Sequence, residues 1–278
     1  MFAKLILVLS LMALVLVVGE ALPTSRRSAQ TRAVQTAATG SSNSGANSRA
    51  VILELFTSEG CSSCPPADAL LKQLDDLGHL ENAEVIALEE HVDYWDHQGW
   101  RDPFSSHDWT ERQQKYAEAL RHDGVYTPQF LVNGRGELVR SSSSTVRQSI
   151  LDGTKITTAN LRVSGLNISE RSADLSIMIE NIRSEAHSAQ LWLAVTERGL
   201  SSSVLGGENK GRLLPHAPVL RALSRIRIPK SNSSGAIEAR ASIGLDHSWK
   251  RENLRFIAFL QASDSLQIFG AAASDIRR

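Results

Sequence analysis

Hydrophobic and polar positions follow different periods in the two halves of the chain. In the first half, an unbroken apolar run at Val51–Phe56 predicts a buried strand. The stretch Ala67–Leu77 places leucines three and four residues apart, which predicts a helix with one apolar face. With the segments that follow, the pattern predicts the order β-α-β-α-β-β-α. These segments are a strand at 84–92, a helix at 109–122, a hairpin at 129–139 and a helix at 144–151.

The second half is built differently. From Ala159 onward, short alternating segments are separated by Ser, Gly, Asn and Pro. In one of them, Leu175, Ile177 and Ile179 are each flanked by more polar neighbours. Short strands of this kind with turn residues between them are typical of an antiparallel sandwich. We therefore predict an α/β domain at residues 50–152, followed by an all-β, sandwich-like domain at residues 155–278.

The first residues resemble a secretory signal peptide. A short positive start is followed by an apolar run at 5–18 and by small residues around Gly19 and Ala21. We predict a signal peptide at 1–21 and a flexible linker at 22–49, which is rich in Ser, Thr, Ala, Asn and Gln. An uncleaved N-terminal anchor is the alternative. The expected location is periplasmic or secreted, with no stable membrane span after cleavage.

Charge and composition narrow the function classes. The chain has 30 Lys+Arg against 30 Asp+Glu, which argues against a nucleic-acid partner because such proteins usually carry a basic excess. Two cysteines exclude a disulfide-rich scaffold and a multi-cysteine zinc domain. No sequence feature indicates an organic cofactor, so none is expected.

The two cysteines form one CxxC, Cys61 and Cys64, at a predicted strand-to-helix junction. A bridge between them closes a very short loop and constrains the unfolded chain little. Redox exchange therefore explains the pair better than stabilisation does. Metal binding and a static local bridge remain the alternatives.

The junction also divides the roles of the two cysteines. A thiolate at a helix N-terminus is stabilised by the helix dipole, which lowers the pKa of Cys61. Ser62 and Ser63 could donate hydrogen bonds to it. Cys61 is then the nucleophile, and Cys64, one turn further in, resolves the mixed disulfide.

Two other segments are expected beside the cysteines. A cis bond at Thr127–Pro128, before a strand, would leave the Thr127 backbone free to pair with an extended substrate; an ordinary trans proline is the alternative. His91, Asp93 and Trp95 follow the second strand, and loops after parallel strands share one sheet edge. These side chains could tune the thiolate or contact a substrate, and the aromatic ones could equally be packing residues.

Several motifs together resemble a family of secreted bacterial proteins classed as a domain of unknown function with a thioredoxin-like fold. They are Cys61-Ser-Ser-Cys-Pro-Pro-Ala-Asp68, His91-Val-Asp-Tyr-Trp-Asp96, Gly99-Trp-Arg-Asp-Pro103, Tyr126-Thr-Pro-Gln129 and Gly207-Glu-Asn-Lys-Gly-Arg212. The resemblance implies a thioredoxin-like domain at 50–152 with a redox-active disulfide. It also implies Cys61 as nucleophile, Cys64 as resolver and Pro128 as the cis-proline beside them.

The chain departs from the thioredoxin pattern at three places. Gly60 stands where thioredoxins usually have Trp, Leu55 falls where they have a buried acid, with Glu54 facing the opposite side of the sheet, and the central dipeptide is Ser62-Ser63. These departures argue against a general reductase and leave the direction of electron flow open. From the CxxC and the resemblance, the sequence predicts an exported thiol–disulfide oxidoreductase that acts on the thiols or disulfides of exported proteins. The alternatives are a copper(I) chaperone with Cys61, Cys64 and His91 as ligands, and a non-catalytic interaction module.

Two features outside these motifs complete the predictions. The glycine-rich stretch 206–212 lacks the ending of a phosphate loop, and we expect a turn in which Glu208 and Arg212 connect the two halves. His216 and His247 are expected on the surface of the sandwich.

Overall fold

The computed structural model describes residues 48–138, 142–182, 186, 188–229 and 235–276. The predicted signal peptide and nearly all of the predicted linker lie outside the described residues. Within the described part, no helix has the length and apolar character needed to cross a membrane. Its α-helices are α1 (Pro65–Leu77), α2 (His107–Leu120) and α3 (Ser143–Gly153).

Fourteen strands lie in the same described residues. Those of the first half are β1 (Arg49–Thr57), β2 (His79–Leu80), β3 (Ala83–His91), β4 (Gln129–Val132) and β5 (Arg135–Leu138). Those of the second half are β6 (Asn160–Ile168), β7 (Ser172–Glu180), β8 (Gln190–Glu197), β9 (Ser201–Ser203), β10 (Leu213–Pro215), β11 (Val219–Ile226), β12 (Ile237–Gly244), β13 (Leu254–Gln261) and β14 (Ile268–Asp275).

Local sequence explains where the helices around the site begin and end. Helix α1 starts with prolines, whose missing N–H groups cost nothing in a first turn, and ends at Gly78. Gly78 has a positive φ of 67° and donates its N–H to the Leu74 carbonyl. Helix α2 begins after Ser106, whose hydroxyl accepts a hydrogen bond from the Asp108 N–H.

One mixed sheet unites strands from both halves of the chain. Its order is β14-β13-β8-β11-β3-β1-β4-β5, and β2 pairs with β3. The central pair, β1 and β3, is parallel, with Thr57 opposite His91 at the carboxyl ends. On the other side of β3, strand β11 adds a parallel pairing between Val219 and Glu89.

The predicted fold class, an α/β thioredoxin-like domain followed by a separate sandwich, is wrong. The described residues are predominantly strand, and β2 lies between α1 and β3 where the predicted order had no strand. Strands β8, β11, β13 and β14, which were assigned to the sandwich, extend the sheet that contains β1 and β3. The reason is hydrogen bonding: β11 joins β3 through the pairing of Val219 with Glu89, near the carboxyl end of β3, and its own antiparallel pairing with β8 brings β8, β13 and β14 into the same sheet.

The rest of the second half packs on this sheet. A three-stranded antiparallel sheet, in the order β12-β7-β6, contributes its alternate apolar residues to a core shared with β8 and β13. On β7, Leu175, Ile177 and Ile179 are fully buried, whereas the residues between them are half-exposed. This arrangement leaves the carboxyl ends of β1 and β3 beside the segment that leads into β11.

Candidate functional site

Cys61 and Cys64 form a disulfide in the turn between β1 and α1. The Cys61 N–H donates to the Ser58 carbonyl at 3.1 Å, and the Cys64 N–H donates to the Cys61 carbonyl at 3.2 Å. Both cysteines are fully buried, whereas Ser62 and Ser63 between them are exposed. The Ser63 hydroxyl lies 3.3 Å from the Cys61 sulfur. A reactant in solvent therefore meets the two serines first.

The Thr127–Pro128 peptide bond is cis. Strand β4 begins at the next residue, and its Gln129 pairs with Phe56 near the end of β1. The indole N–H of Trp95 donates to the Thr127 hydroxyl at 2.9 Å. A Cβ placed on Gly60 would lie only 3.1 Å from the Trp95 Cβ, so Gly60 gives this indole its space. Trp95 thus connects the residue before Cys61 with the residue before Pro128.

The glycine-rich stretch at 206–212 covers the disulfide turn. The side-chain amide of Asn209 donates to the carbonyl oxygens of Glu59 and Cys61, at 2.8 and 2.9 Å. The Glu208 carboxylate accepts a hydrogen bond from the Ser62 N–H at 2.9 Å. Asn209 is fully buried, although it lies in a loop. Of the two contacts expected between the halves, Glu208 makes one, and Arg212 instead donates to the Asn209 side chain.

A cluster of buried acids and histidines lies under the same turn. Glu89, His91 and His216 bring one ligand-type atom each to within 4.8 Å of the others. The outer ring nitrogens of the histidines are held by further carboxylates: His91 Nδ1 lies 2.7 Å from Asp102, and His216 Nε2 lies 3.0 Å from Glu59. Glu59 also accepts a hydrogen bond from the indole of Trp100. None of the cluster residues is more than 3% exposed.

In this cluster, attraction between the carboxylates and the imidazoles affects the pKa values more than burial does. Burial opposes protonation of His216, but the Glu59 and Glu89 carboxylates outweigh it and raise the pKa of His216 to about 9. Burial also opposes protonation of His91, and Asp102 with Glu89 raises the pKa of that imidazole well above its ordinary value. Burial disfavours the charged form of Asp102, yet the facing His91 leaves the pKa of this carboxyl lowered.

Asp68 is a further buried acid, one turn beyond Cys64 in α1. Four residues separate the two, so they share a helix face. The Thr57 hydroxyl donates to the Asp68 carboxyl at 2.6 Å. Burial, reinforced by the Glu89 carboxylate, raises the pKa of Asp68 to about 8. A carboxyl with such a pKa can exchange a proton with a thiol near neutral pH.

The structure brings most of the predicted site residues together. Cys61, Ser62, Ser63 and Cys64 form the turn, and Trp95 connects it with Thr127, the residue before Pro128. His91 lies near them but faces Asp102 and Glu89. Asp93 is directed towards the first turn of α2, where it accepts hydrogen bonds from Thr110 and His107. The expectation that His216 lies on the surface is wrong, because it is 3% exposed; His247 is exposed.

The sequence patterns missed the acids and amides of the site. Missed residues are Glu59, Asp68, Glu89, Asp102, Asn209 and His216. Asp68, Asp102 and Asn209 do lie inside the quoted motifs, which was the available signal. Glu89 lies within an apolar strand pattern, and a polar residue there indicates a buried partner. His216 lies beside the site only because β11 joins β3.

A cleft of about 740 Å³ lies next to the cluster. Phe104 lines this cleft and also contacts the two buried histidines. The centroid of the Phe104 ring lies 5.5 Å from that of His91 and 5.0 Å from that of His216. On the cleft, the Arg221 guanidinium lies 5.3 Å from the Phe104 ring and 5.4 Å from the Trp249 ring. Phe104 therefore lies between the cleft and the buried histidines.

Comparisons with known proteins give a family and a fold. A family model described as "Protein of unknown function (DUF1223)" matches residues 52–261. The crystal structure of protein AGR_C_4864 from Agrobacterium tumefaciens is 24% identical, with a TM-score of 0.58, and covers 83% of this chain and 98% of its own. HBP35 of Porphyromonas gingivalis is 14% identical, with a TM-score of 0.62, and covers 84% and 76%. No curated protein sequence matches.

Proposed function

The chain belongs to the DUF1223 family, whose description names no activity, and from its own residues we propose that it is an exported thiol–disulfide exchange protein. The reacting group is the Cys61–Cys64 disulfide, and the substrates are thiols or disulfides of other exported proteins. The observation that carries the proposal is the Cys61–Cys64 disulfide at the turn between β1 and α1, with the Ser63 hydroxyl 3.3 Å from the Cys61 sulfur. Export is proposed from the signal-like first residues.

The local chemistry favours exchange over stabilisation. The disulfide spans a sequence separation of three residues, so it restricts the unfolded chain far less than a long-range bridge would. Once the bond is cleaved, the first turn of α1 favours a negative sulfur at this place. The Ser63 hydroxyl, 3.3 Å from the Cys61 sulfur, can donate to that thiolate.

The exchange conserves atoms and electrons through two steps. A partner thiolate attacks the Cys61 sulfur, so that an intermolecular disulfide forms and Cys64 leaves as a thiolate, which takes up a proton. A second partner thiolate then attacks the partner sulfur, and Cys61 leaves. The partner is oxidised to a disulfide and the CxxC is reduced to a dithiol. In the reverse direction, we propose that Asp68 accepts the proton of the attacking Cys64 thiol, because it lies one turn away on the same helix face.

Access to the sulfurs requires a movement. Both cysteines are fully buried, and attack on a disulfide needs an approach to one of its sulfur atoms. The stretch at 206–212 holds the turn through Asn209 and Glu208. We therefore include displacement of this stretch in the proposed reaction.

The test is the reduction potential of the protein in graded glutathione buffers, with free thiols counted by alkylation. We expect a midpoint between about −120 and −270 mV, the range of catalytic exchangers. Cys64→Ser should accumulate one mixed disulfide with glutathione at Cys61. Cys61→Ser should accumulate much less, because the Ser63 hydroxyl that can stabilise a reacting sulfur lies beside Cys61. A midpoint below about −300 mV would show a structural bridge and overturn the proposal.

A further inference from the structure

We propose that Glu89, His91 and His216 form a buried binding site for a divalent first-row transition metal, with Zn²⁺ as the preferred ion. Each residue presents one ligand-type atom, and these atoms lie within 4.8 Å of one another. Two imidazole nitrogens and one carboxylate are a common ligand set of zinc sites that keep a fourth position open. The inference is independent of the redox chemistry, since it uses neither cysteine.

The strongest support is a set of polar atoms that face one another without hydrogen bonds. Both carboxylate oxygens of Glu89, Nε2 of His91 and Nδ1 of His216 are buried and have no hydrogen-bond partner within the described part of the chain. Leaving such groups unsatisfied is unfavourable, because they lose their hydrogen bonds to water and gain none in the protein. Four such atoms around one point are expected where a ligand completes the site.

The distances fit a shared ion better than direct pairing. Glu89 lies 3.8 Å from His91 Nε2 and 3.8 Å from His216 Nδ1. Two ligands of one tetrahedral zinc ion lie roughly 3.3–3.4 Å apart, given bond lengths of about 2.0–2.1 Å. The same two histidines reach 2.7 and 3.0 Å with their other carboxylate partners. Their rings therefore can approach a carboxylate closely, and the wider gaps occur only on the inner side.

The outer partners give the histidines the orientation of metal ligands. Asp102 accepts a hydrogen bond from Nδ1 of His91, and Glu59 accepts one from Nε2 of His216. Each arrangement leaves the opposite ring nitrogen directed at Glu89. A carboxylate behind a ligating imidazole fixes its tautomer and raises its basicity, and it recurs in metal sites.

Ligand type and charge select the class of ion. Nitrogen and oxygen donors suit Zn²⁺ or Fe²⁺ rather than copper(I), which prefers sulfur. Among the described residues, the cysteines do not join this group, and their sulfurs are bonded to each other. Three buried carboxylates, Glu59, Glu89 and Asp102, also favour a dication over an anion.

The experiment is metal binding by the whole protein after treatment with a chelator. We expect the protein to bind one equivalent of Zn²⁺ in calorimetry. We expect Co²⁺ to bind with the intense visible absorption of a low-coordinate site. Glu89→Gln and His216→Gln should each weaken binding by about 10²-fold or more. Asp102→Asn, which alters only the outer shell, should weaken it by roughly 10- to 100-fold.

Two controls separate this site from the alternatives. His247→Gln removes an exposed histidine and should leave binding unchanged, in contrast to the loss expected for His216→Gln. Cys61→Ser/Cys64→Ser should also retain the metal, so failure of the redox proposal would not affect this result. If the chelated wild-type protein binds neither Zn²⁺, Co²⁺ nor, without oxygen, Fe²⁺, the inference is overturned. Equal binding by folded Glu89→Gln and His216→Gln would overturn it as well. If both variants fail to fold, the test is made on the wild-type protein by NMR. Zn²⁺ should then change the imidazole chemical shifts of His91 and His216, and unchanged shifts would overturn the inference.

Discussion

The side-chain amide of Asn209 is hydrogen-bonded to the Cys61 carbonyl at 2.9 Å, across a sequence separation of 148 residues. The same amide bonds the Glu59 carbonyl at 2.8 Å. One buried side chain from the second half of the chain thus holds both ends of the segment that enters the disulfide turn. Any reactant that reaches the sulfurs must displace this contact or bypass it.

Replacement of Asn209 by Ala should make the disulfide easier to reduce. The two hydrogen bonds that join the loop to the turn, of about 1 kcal/mol each, are lost, which favours the open loop by roughly 10- to 30-fold. The rate of reduction by dithiothreitol, followed by alkylation of the released thiols, should rise by about the same factor. Lys210→Ala changes an exposed neighbour and should leave the rate unchanged. Equal rates for Asn209→Ala and the wild type would mean that the sulfurs are reached by another route.

Gly206 offers a steric test of the same loop. A Cβ at this position would lie 2.1 Å from the Gly99 carbonyl oxygen, so Gly206→Ala cannot keep the loop in place. We expect faster reduction of the disulfide than in Asn209→Ala, together with a lower melting temperature. Gly124→Ala is the matched control, since an added Cβ there meets nothing within 4 Å. A wild-type reduction rate in folded Gly206→Ala would rule out this loop as the cover.

Local patterns in the sequence describe single elements better than their association. The leucines of Ala67–Leu77 and the apolar run Val51–Phe56 mark α1 and β1 closely. The pairing of β11 with β3 joins residues far apart in the sequence and rests on one residue pair, Val219 with Glu89. The local pattern of either strand therefore does not indicate its partner. The predicted separate sandwich was wrong for this reason. The division into α/β and all-β halves followed composition, whereas the sheet follows hydrogen bonds across the chain.

The candidate site shows the same limit. Cys61, Cys64 and the neighbouring serines were found because a CxxC at a strand-to-helix junction has a chemistry of its own. Glu59 and His216 were missed because they are hydrogen-bonded to each other across a sequence separation of 157 residues, which no local pattern shows. A histidine between Pro215 and Ala217 has no local signal that distinguishes a surface side chain from a buried ligand.

Asp68 should make stability depend on pH. Burial, with the Glu89 carboxylate, raises the pKa of Asp68 to about 8 in the folded protein, against an ordinary value near 3.8. The folded state therefore holds this proton more tightly than the unfolded state. The stabilisation is complete below about pH 4 and is lost as the pH rises to about 8.

Asp68→Asn removes this titration while keeping an oxygen for the Thr57 hydroxyl. The difference in unfolding free energy between wild type and variant, measured with urea at each pH, should shift in favour of the variant between about pH 4 and 8. Asp76→Asn is the control, because Asp76 is exposed and its pair with Lys72 is on the surface. Parallel pH profiles for wild type and Asp68→Asn would contradict the raised pKa.

Arg112 should be the most sensitive ionic residue of the fold. It is buried in α2, donates to Glu54 of β1 and Gln261 of β13, and lies 3.4 Å from Glu90. Arg112→Met leaves the Glu54 carboxylate buried without a cation, and loss of one partner of a buried pair costs about 3–5 kcal/mol. Urea denaturation should show this loss as a lower midpoint with an unchanged slope.

Two further variants determine whether the charge itself is responsible. Lys72→Ala removes a cation from an exposed pair in α1 and should change the free energy of unfolding by no more than about 0.5 kcal/mol. Glu54→Met/Arg112→Met removes the ion pair and should recover part of the stability lost in Arg112→Met, because the Glu54 carboxylate is no longer left unpaired. Glu90 remains, but burial raises its pKa well above the ordinary value, so this carboxyl stays protonated. If the double variant is less stable than Arg112→Met, the pair serves mainly through packing and through its hydrogen bonds with Tyr116 and Gln261. A loss below about 1 kcal/mol in Arg112→Met would show that water reaches Glu54 once the guanidinium is gone.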